Sequence, residues 1–461
     1  MIIGLGQTGR SCIAYLESQG QGYHLLDSRS DVPNRDALQS ELCRSMTFNG
    51  LDGDKAFHLK RLDDMAITSL IVSPGVRVKG DLFDAAKEMG LDILGDVDLF
   101  ARVLNAEQPG AKVIGITGSN GKSTVTQLLY DLMSEAGLSV SVGGNIGIPA
   151  LELLANKSDW YVLELSSFQL ETTHNLRPEI GTVLNISEDH MDRYDSFEDY
   201  RDTKLELLSV SRHQVVDIDM LPDVVEAYDQ VTCISMAQSI SGSEVQWHSE
   251  QKMIEFKLTD SDYMLDMSRV KLPGLHNIRN IMTVMAIWSQ LDTPWTEALS
   301  DYVYNWPGLA HRCAFVAEID GIKFYNDSKA TNVGATEAAI DGFAATTSSP
   351  IVLIAGGVGK DADFSVLSNT FKAYLRALIL MGRDAEQILS QAGRDIKSRL
   401  VSDMKEAVNK AYAEAHQGDV VLLSPACASL DMYPNFEHRG NDFVHCVEAL
   451  GIEQTTAEGM A

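Results

Sequence analysis

Gly118-Ser119-Asn120-Gly121-Lys122-Ser123-Thr124 gathers two glycines, a lysine and several hydroxyls in one short stretch. The backbone N–H groups of such a loop, with the positive end of a following helix, hold phosphate oxygens. The lysine neutralises them, and the Ser123 hydroxyl can reach Mg²⁺. The longer phosphate-loop pattern wants a further glycine at position 116, which is Ile116 here. Glu164 and His190 each fall just past an apolar run in the same part of the chain. Carboxylate, imidazole and hydroxyl around one nucleotide suggest magnesium ligation, with Asp189 and Asp192 as competitors for that role.

A second glycine turn, Gly4-x-Gly6-x-x-Gly9, is followed by Asp27, 27 − 9 = 18 residues later. That is the dinucleotide fingerprint, and it leaves two occupants open, a nicotinamide cofactor or a nucleotide-linked substrate. Three further polar or small-residue loops follow apolar runs: Asn326-Asp327-Ser328-Lys329-Ala330-Thr331-Asn332, Gly356-Gly357-Val358-Gly359-Lys360 and Ser424-Pro425-Ala426-Cys427-Ala428-Ser429. Open parallel sheets bind ligands at the carboxyl ends of their strands, so three such loops on one sheet edge point to a binding site. His276, beside Asn277 and Asn280, has neighbours suited to hydrogen-bonding a purine.

The elements that must position these residues follow from hydrophobic periodicity. Short apolar strands alternate with helical periods, which predicts an α/β fold of parallel sheets covered by helices. Strands are expected at residues 1–5, 70–72, 113–116, 160–163, 182–186, 322–325, 351–355, 377–381 and 420–423. Val125, Leu128, Leu129, Leu132 and Met133 make one face of a helix that Gly137 can end. A second helix over 404–416 is announced by Asp403 as N-cap with Glu406 three residues on. Residues 1–5 read as the end of a buried strand, so either the start lies upstream or this strand is short. Residues 211–270 offer no usable motif.

The 461 residues suit about three domains. Lysine and arginine number 37 against 65 acids, a formal charge of 37 − 65 = −28, which disfavours nucleic acid and anionic membrane as partners. Any bound polyanion therefore requires local cations, for which Lys122, Arg312, Lys329 and Lys360 are candidates. Six scattered cysteines without metal-ligand spacing predict unpaired thiols in a reducing compartment. No run approaches a membrane span and no secretion signal opens the chain, so a cytoplasmic protein is expected.

Taken as a set, the loop at 118–124, Gly143-Gly144-Asn145-Ile146-Gly147, Leu163-Glu164-Leu165-Ser166-Ser167-Phe168-Gln169, Asn185-x-x-Glu188-Asp189-His190-Met191-Asp192-Arg193 and the 326–332 cluster resemble the ATP-dependent Mur ligases. The stretch from Ser424 through Asp431 to Asn435-Phe436-Glu437-x-Arg439-Gly440 resembles the D-glutamate-adding branch. The resemblance covers essentially the whole chain. It implies a Rossmann-like domain at 1–100 for a uridine diphosphate substrate, a central phosphate-loop ATPase-like domain at 101–308, and a Rossmann-like domain at 309–461 for the amino acid.

On that resemblance, Gln7 and Thr8 lie near the diphosphate and Asp27, Ser28 and Arg29 near uridine. Gly75, Asn145, Ser166, Gln169 and His190 serve the muramoyl substrate. ATP is met by residues 118–124 with Asn277, Asn280, Arg312 and Asp327, and D-glutamate by Lys329, Thr331, Lys360, Ser429, Leu430 and Phe436. Two Mg²⁺ sites are implied, one with Ser123 and Glu164, the other with His190 and a Lys204 carbamylated by CO₂. The implied catalytic set is Lys122, Asn145, His190, Lys204, Arg312 and Lys329. The implied activity adds D-glutamate to UDP-N-acetylmuramoyl-L-alanine through an acyl phosphate, in a monomer that needs only small-molecule partners. A nicotinamide dehydrogenase would leave the Lys122 loop idle, and a nucleotide sensor would not need the 326–332 cluster.

Overall fold

A computed structural model describes residues 1–30, 32, 35–228, 231–237, 245–258, 261–272, 274–347 and 349–458. The chain forms two compact units. The first comprises Met1–Gly118, Val125–Leu184 and Glu198–Cys233, and the second Ser119–Thr124, Asn185–Phe197 and Ile234–Ala461.

The first unit opens on a parallel sheet of β1 (Ile2–Ile3), β2 (Tyr23–Leu26), β3 (Cys43–Thr47), β4 (Ser69–Val72) and β5 (Asp92–Leu94), in the order β3-β2-β1-β4-β5. Although β1 has only two residues, it is central: Ile2 and Ile3 pair with Leu25 and Leu26 on one side and Ile71 and Val72 on the other, and both are fully buried. The strand expected over 1–5 stops early because Gly4 turns at φ 87°. A Cβ at Gly9 would lie 2.0 Å from the Gly4 carbonyl oxygen, so the turn needs glycine there as well.

The second sheet joins β6 (Lys112–Thr117), β7 (Val140–Gly144), β8 (Trp160–Glu164), β9 (Ile180–Val183), β10 (His213–Asp217) and β11 (Val231–Ile234), ordered β11-β10-β9-β6-β8-β7. Its inner strands are apolar runs buried on both faces, as covered parallel strands should be. The expected helix is Lys122–Glu135, with Val125, Leu128, Leu129, Leu132 and Met133 all inaccessible to solvent. Gly137 ends it at φ 79°. The strand expected at 182–186 begins and ends earlier, at Ile180–Val183.

In the second unit, the stretch without motifs contains an antiparallel sheet, β12 (Val245–His248), β13 (Met253–Leu258) and β14 (Ser261–Asp266). The last sheet comprises β15 (Ala314–Ile319), β16 (Ile322–Asn326), β17 (Ile351–Ala355), β18 (Leu375–Leu380), β19 (Ser398–Leu400) and β20 (Val420–Leu423). Its order is β15-β16-β20-β17-β18-β19, with only β15 antiparallel. Asp403 caps the Met404–Glu414 helix through the Glu406 amide, and the helix ends short of 416 because Ala415 turns extended. Among the described residues, no disulfide joins any of the six cysteines.

Because β16, β20 and β17 are neighbours, the three polar loops predicted to share an edge do so. One side chain ties them. Arg439, 2 % exposed, donates to the Ser328 hydroxyl (3.0 Å) and carbonyl (2.7 Å), the Cys427 carbonyl (3.0 Å) and the Gly356 carbonyl (3.5 Å). Burial pulls its pKa down to about 10, so it stays charged at neutral pH. Removing it strands several buried acceptors, each worth about 1–3 kcal/mol when left unpaired. Arg439→Ala is therefore expected to lower the unfolding free energy by about 3 kcal/mol or more in a urea titration; a loss under about 1 kcal/mol would contradict this role.

Candidate active site

The phosphate-type loop leaves β6 at Gly118, φ 150°, and turns again at Gly121, φ 85°, both conformations that only glycine adopts readily. Ile116, where the longer pattern has glycine, lies inside β6 and is fully buried, so the turn begins two residues later. Ser119 and Asn120 are pinned to the segment after β9: their amides donate to the Asn185 carbonyl and Oδ1 at 2.9 Å each. Asn185 returns a bond to the Asn120 carbonyl (3.1 Å), and the Ser119 hydroxyl exchanges bonds with the Ser187 backbone (3.0 Å). Lys122 Nζ reaches back to the Ser119 carbonyl at 2.8 Å, and Arg312 donates to the Ser123 hydroxyl at 2.5 Å. An arginine from the entry to the last sheet thus meets the loop hydroxyl beside a helix start, a receptacle for a polyphosphate.

Asp189 and His190 sit on the following turn, where His190 adopts φ 58°. Asp189 accepts from Lys360 Nζ (3.2 Å), Asn332 Nδ2 (3.2 Å) and the His190 amide (3.0 Å). Burial pushes its carboxyl up, but the Lys360 ammonium and, at pH low enough to protonate it, the His190 ring outweigh that and hold it below the usual range. Burial pushes the His190 imidazole down, with Lys360 and Lys122 acting the same way against Asp189, so neutral His190 can offer a ring nitrogen to a metal.

The first unit holds the other proposed metal ligands. Glu164, at the end of β8, is buried, and its Oε1 accepts from Asn145 Nδ2 at 2.7 Å. Its Oε2 is buried with no hydrogen-bond partner among the described residues. A buried carboxylate oxygen left open suits a cation, so this residue fits magnesium. Lys204, on the Phe197–Ser209 helix, is 2 % exposed; its Nζ donates to the Gly118 carbonyl (3.0 Å) and lies 4.8 Å from the Tyr200 ring centre. Among the described residues no three His, Cys, Asp or Glu side chains cluster as a metal site, so hydroxyl and lysine-derived ligands would have to complete one. Just past Glu164, Ser166 and Gln169 form a capping box, their side chains each bonding the other's amide.

At the amino-terminal turn, Asp27 accepts from the Leu5 amide (2.7 Å) and from Arg29 through its amide, Nε and Nη2 (2.8–2.9 Å). Burial alone would raise its pKa, but the Arg29 bonds prevail and bring it to about 2. Gln7, Ser28, Arg29 and Gly75 are exposed and Thr8 half-buried. The Gln7–Ser18 helix begins with no side-chain cap, which leaves its first amides for an anion.

On the last sheet's edge, Lys329 Nζ stacks 4.1 Å from the Phe436 ring centre, Ser429 is buried and Leu430 is 70 % exposed. Asn277 and Asn280 are buried side by side, joined by a 3.3 Å bond. The neighbouring His276 is pushed by burial to about 4 and is neutral. Asp327 accepts from the Ser424 hydroxyl (2.8 Å) and the Cys313 amide (3.2 Å). The roles of Arg439, Asn185 and Asn332 were missed from sequence: they act through tertiary contacts, though all three lie inside motifs that were singled out.

Three family models match the chain: the Mur ligase MurD-like N-terminal domain at 1–95, the Mur ligase middle domain at 116–288, and the Mur ligase glutamate ligase domain at 311–427. The chain belongs to the Mur ligase family. Within it, the chain is 40 % identical over 98 % of both chains to a UDP-N-acetylmuramoylalanine--D-glutamate ligase of Pseudomonas fluorescens, and 41 % identical, again over 98 % of both, to one of Alcanivorax borkumensis. Similar solved folds include the UDP-N-acetylmuramate-alanine ligase MurC of Thermotoga maritima (TM-score 0.58, 14 % identity, 97 % of this chain and 98 % of that one). The MurF ligase of the same organism, in complex with ADP, gives 0.58 at 18 % identity, over 83 % and 95 %.

Burial pushes Asp327 up from 3.8 to about 7, against its hydrogen bonds and Arg312. A carboxyl whose folded pKa is raised stabilises the fold fully below pH 3.8 and loses that contribution as pH rises through about 7. Asp327→Asn should therefore gain stability relative to the parent protein between about pH 4 and 7 in denaturant titrations; a difference independent of pH would contradict the assignment.

Proposed function

We propose that this chain is an ATP-dependent ligase that adds D-glutamate to UDP-N-acetylmuramoyl-L-alanine, giving ADP and phosphate, as a cytoplasmic monomer in peptidoglycan precursor synthesis. The observation that carries the chemistry is the glycine loop with Lys122 and with Arg312 on the Ser123 hydroxyl. The full-length relatives support the choice of amino acid. In this reading residues 1–100 bind the uridine diphosphate, 101–308 ATP and 309–461 D-glutamate.

The substrate's alanyl carboxylate and the γ-phosphate repel each other, and Lys122 and Arg312 lower that barrier. A carboxylate oxygen attacks phosphorus and ADP leaves. The amine of D-glutamate, having lost a proton, attacks the acyl phosphate, and phosphate departs with the amide formed. Lys360, Thr331 and Ser429 take the glutamate carboxylates, Lys329 lies beside the reacting groups, and Asn277, Asn280 and Asp327 shape the nucleotide site. Ser123, Glu164, His190 and a carbamylated Lys204 would hold Mg²⁺, which supplies further charge neutralisation.

Phosphate release with ATP, Mg²⁺ and UDP-N-acetylmuramoyl-L-alanine is expected to require D-glutamate; release that ignores it, or prefers another amino acid, refutes the reading. Lys360→Ala should raise the KM for D-glutamate about tenfold while leaving that for ATP within about twofold, since a charged partner of the carboxylate is worth roughly 1.5–3 kcal/mol; equal changes would refute the assignment. Lys204→Arg, which stays cationic and cannot stand in for an anionic carbamate, should abolish turnover, and CO₂-depleted buffer should slow the parent enzyme reversibly, with bicarbonate restoring its rate. Full activity of Lys204→Arg would remove the carbamate.

A further inference from the structure

Lys360 is not loosely placed. It and Asp361 take the left-handed conformation, φ 55° and 59°. The turn before them is fastened by the Gly359 amide on Asp384 (2.7 Å) and by paired backbone bonds between Val358 and Ala428 (2.8 and 2.9 Å). Gly357 belongs to this fastening, since a Cβ there would meet the Ala428 carbonyl oxygen at 2.2 Å. The turn thus delivers one ammonium to one place, and a carboxylate already occupies it: Asp189 Oδ1, at 3.2 Å. The other oxygen of Asp189 is held by Asn332, whose amide nitrogen also reaches Asn120 Oδ1 (3.3 Å) on the glycine loop.

We propose that Asp189 is a placeholder carboxylate, occupying Lys360 until the side-chain carboxylate of the incoming amino acid displaces it. The inference rests on the D-glutamate reading above and adds to it a specificity-determining residue. The physical ground is charge balance. Lys360 has three donors but one positive charge, so a second carboxylate at the same ammonium would have to share that charge with Asp189, whose other oxygen is met by the Asn332 amide and, at 3.6 Å, by the His190 ring. Binding is then an exchange of one carboxylate for another. A neutral side chain cannot make that exchange, so an amino acid with an uncharged side chain leaves Asp189 in place and the site closed to it. Asp189 acts through Lys360 and is a positioning residue rather than a reacting one.

The exchange makes a prediction of unusual sign. Asp189→Asn removes the competitor and keeps the shape, so the KM for D-glutamate should fall by about two- to fivefold, the worth of a partly exposed ion pair. The KM for ATP should not follow it, whatever happens to kcat. Asp189→Ser, measured in parallel in case asparagine disturbs the turn, should also lower it. In a Lys360→Ala background Asp189→Asn should leave the KM for D-glutamate unchanged. A KM for D-glutamate that rises or stays constant in both single variants, with turnover still dependent on D-glutamate, overturns the placeholder and leaves the ligase reading intact. Parent enzyme without D-glutamate-dependent turnover overturns both.

Discussion

Two anions have to be pushed together for this reaction, and the chain that does it carries a formal charge of −28. The glycine loop and its neighbours can be understood as local relief of that repulsion. In the reading proposed above the cations that matter are few, and the fold fixes them by short, specific contacts: Lys122 folded onto its own loop and Arg312 on Ser123. Such contacts set where positive charge is offered, which governs transition-state stabilisation more than the total charge of the protein does.

The carboxyl edge of the last sheet shows a second use of buried charge. Arg439 is far less a ligand than a bracket, spending its donors on backbone and hydroxyl oxygens of three loops that are distant in sequence. A buried guanidinium is a poor source of net stability but a strong constraint on geometry, because any loop that moves leaves it unsatisfied. With the loops bracketed, Lys329 can lie against Phe436 and Lys360 can be held at a single point.

Much of this was legible in the sequence because parallel strands covered on both faces are runs of Val, Ile and Leu, and their ends are marked by glycine and small polar residues. The glycine loop, Glu164 and the three loops of the last sheet were read in that way and stand at strand ends as expected. The antiparallel sheet was not read, although Met253 to Leu258 alternate and bury Ile254 and Phe256 on one side. Its period-two signal was present, but no chemistry drew attention to it. The Asp189–Lys360 pair spans 171 residues, and the burial of Arg439 depends on three separate loops. Neither has any local trace, since tertiary packing alone decides them.

The central claim is that a carboxylate is activated by accepting a phosphoryl group before the amine arrives. The most direct measurement uses UDP-N-acetylmuramoyl-L-alanine with ¹⁸O in its alanyl carboxylate and follows the label into inorganic phosphate by mass spectrometry. One labelled oxygen per amide formed is the predicted result. Phosphate released without label, at the same yield of amide, would mean that no oxygen of that carboxylate ever joined phosphorus, and would contradict the account.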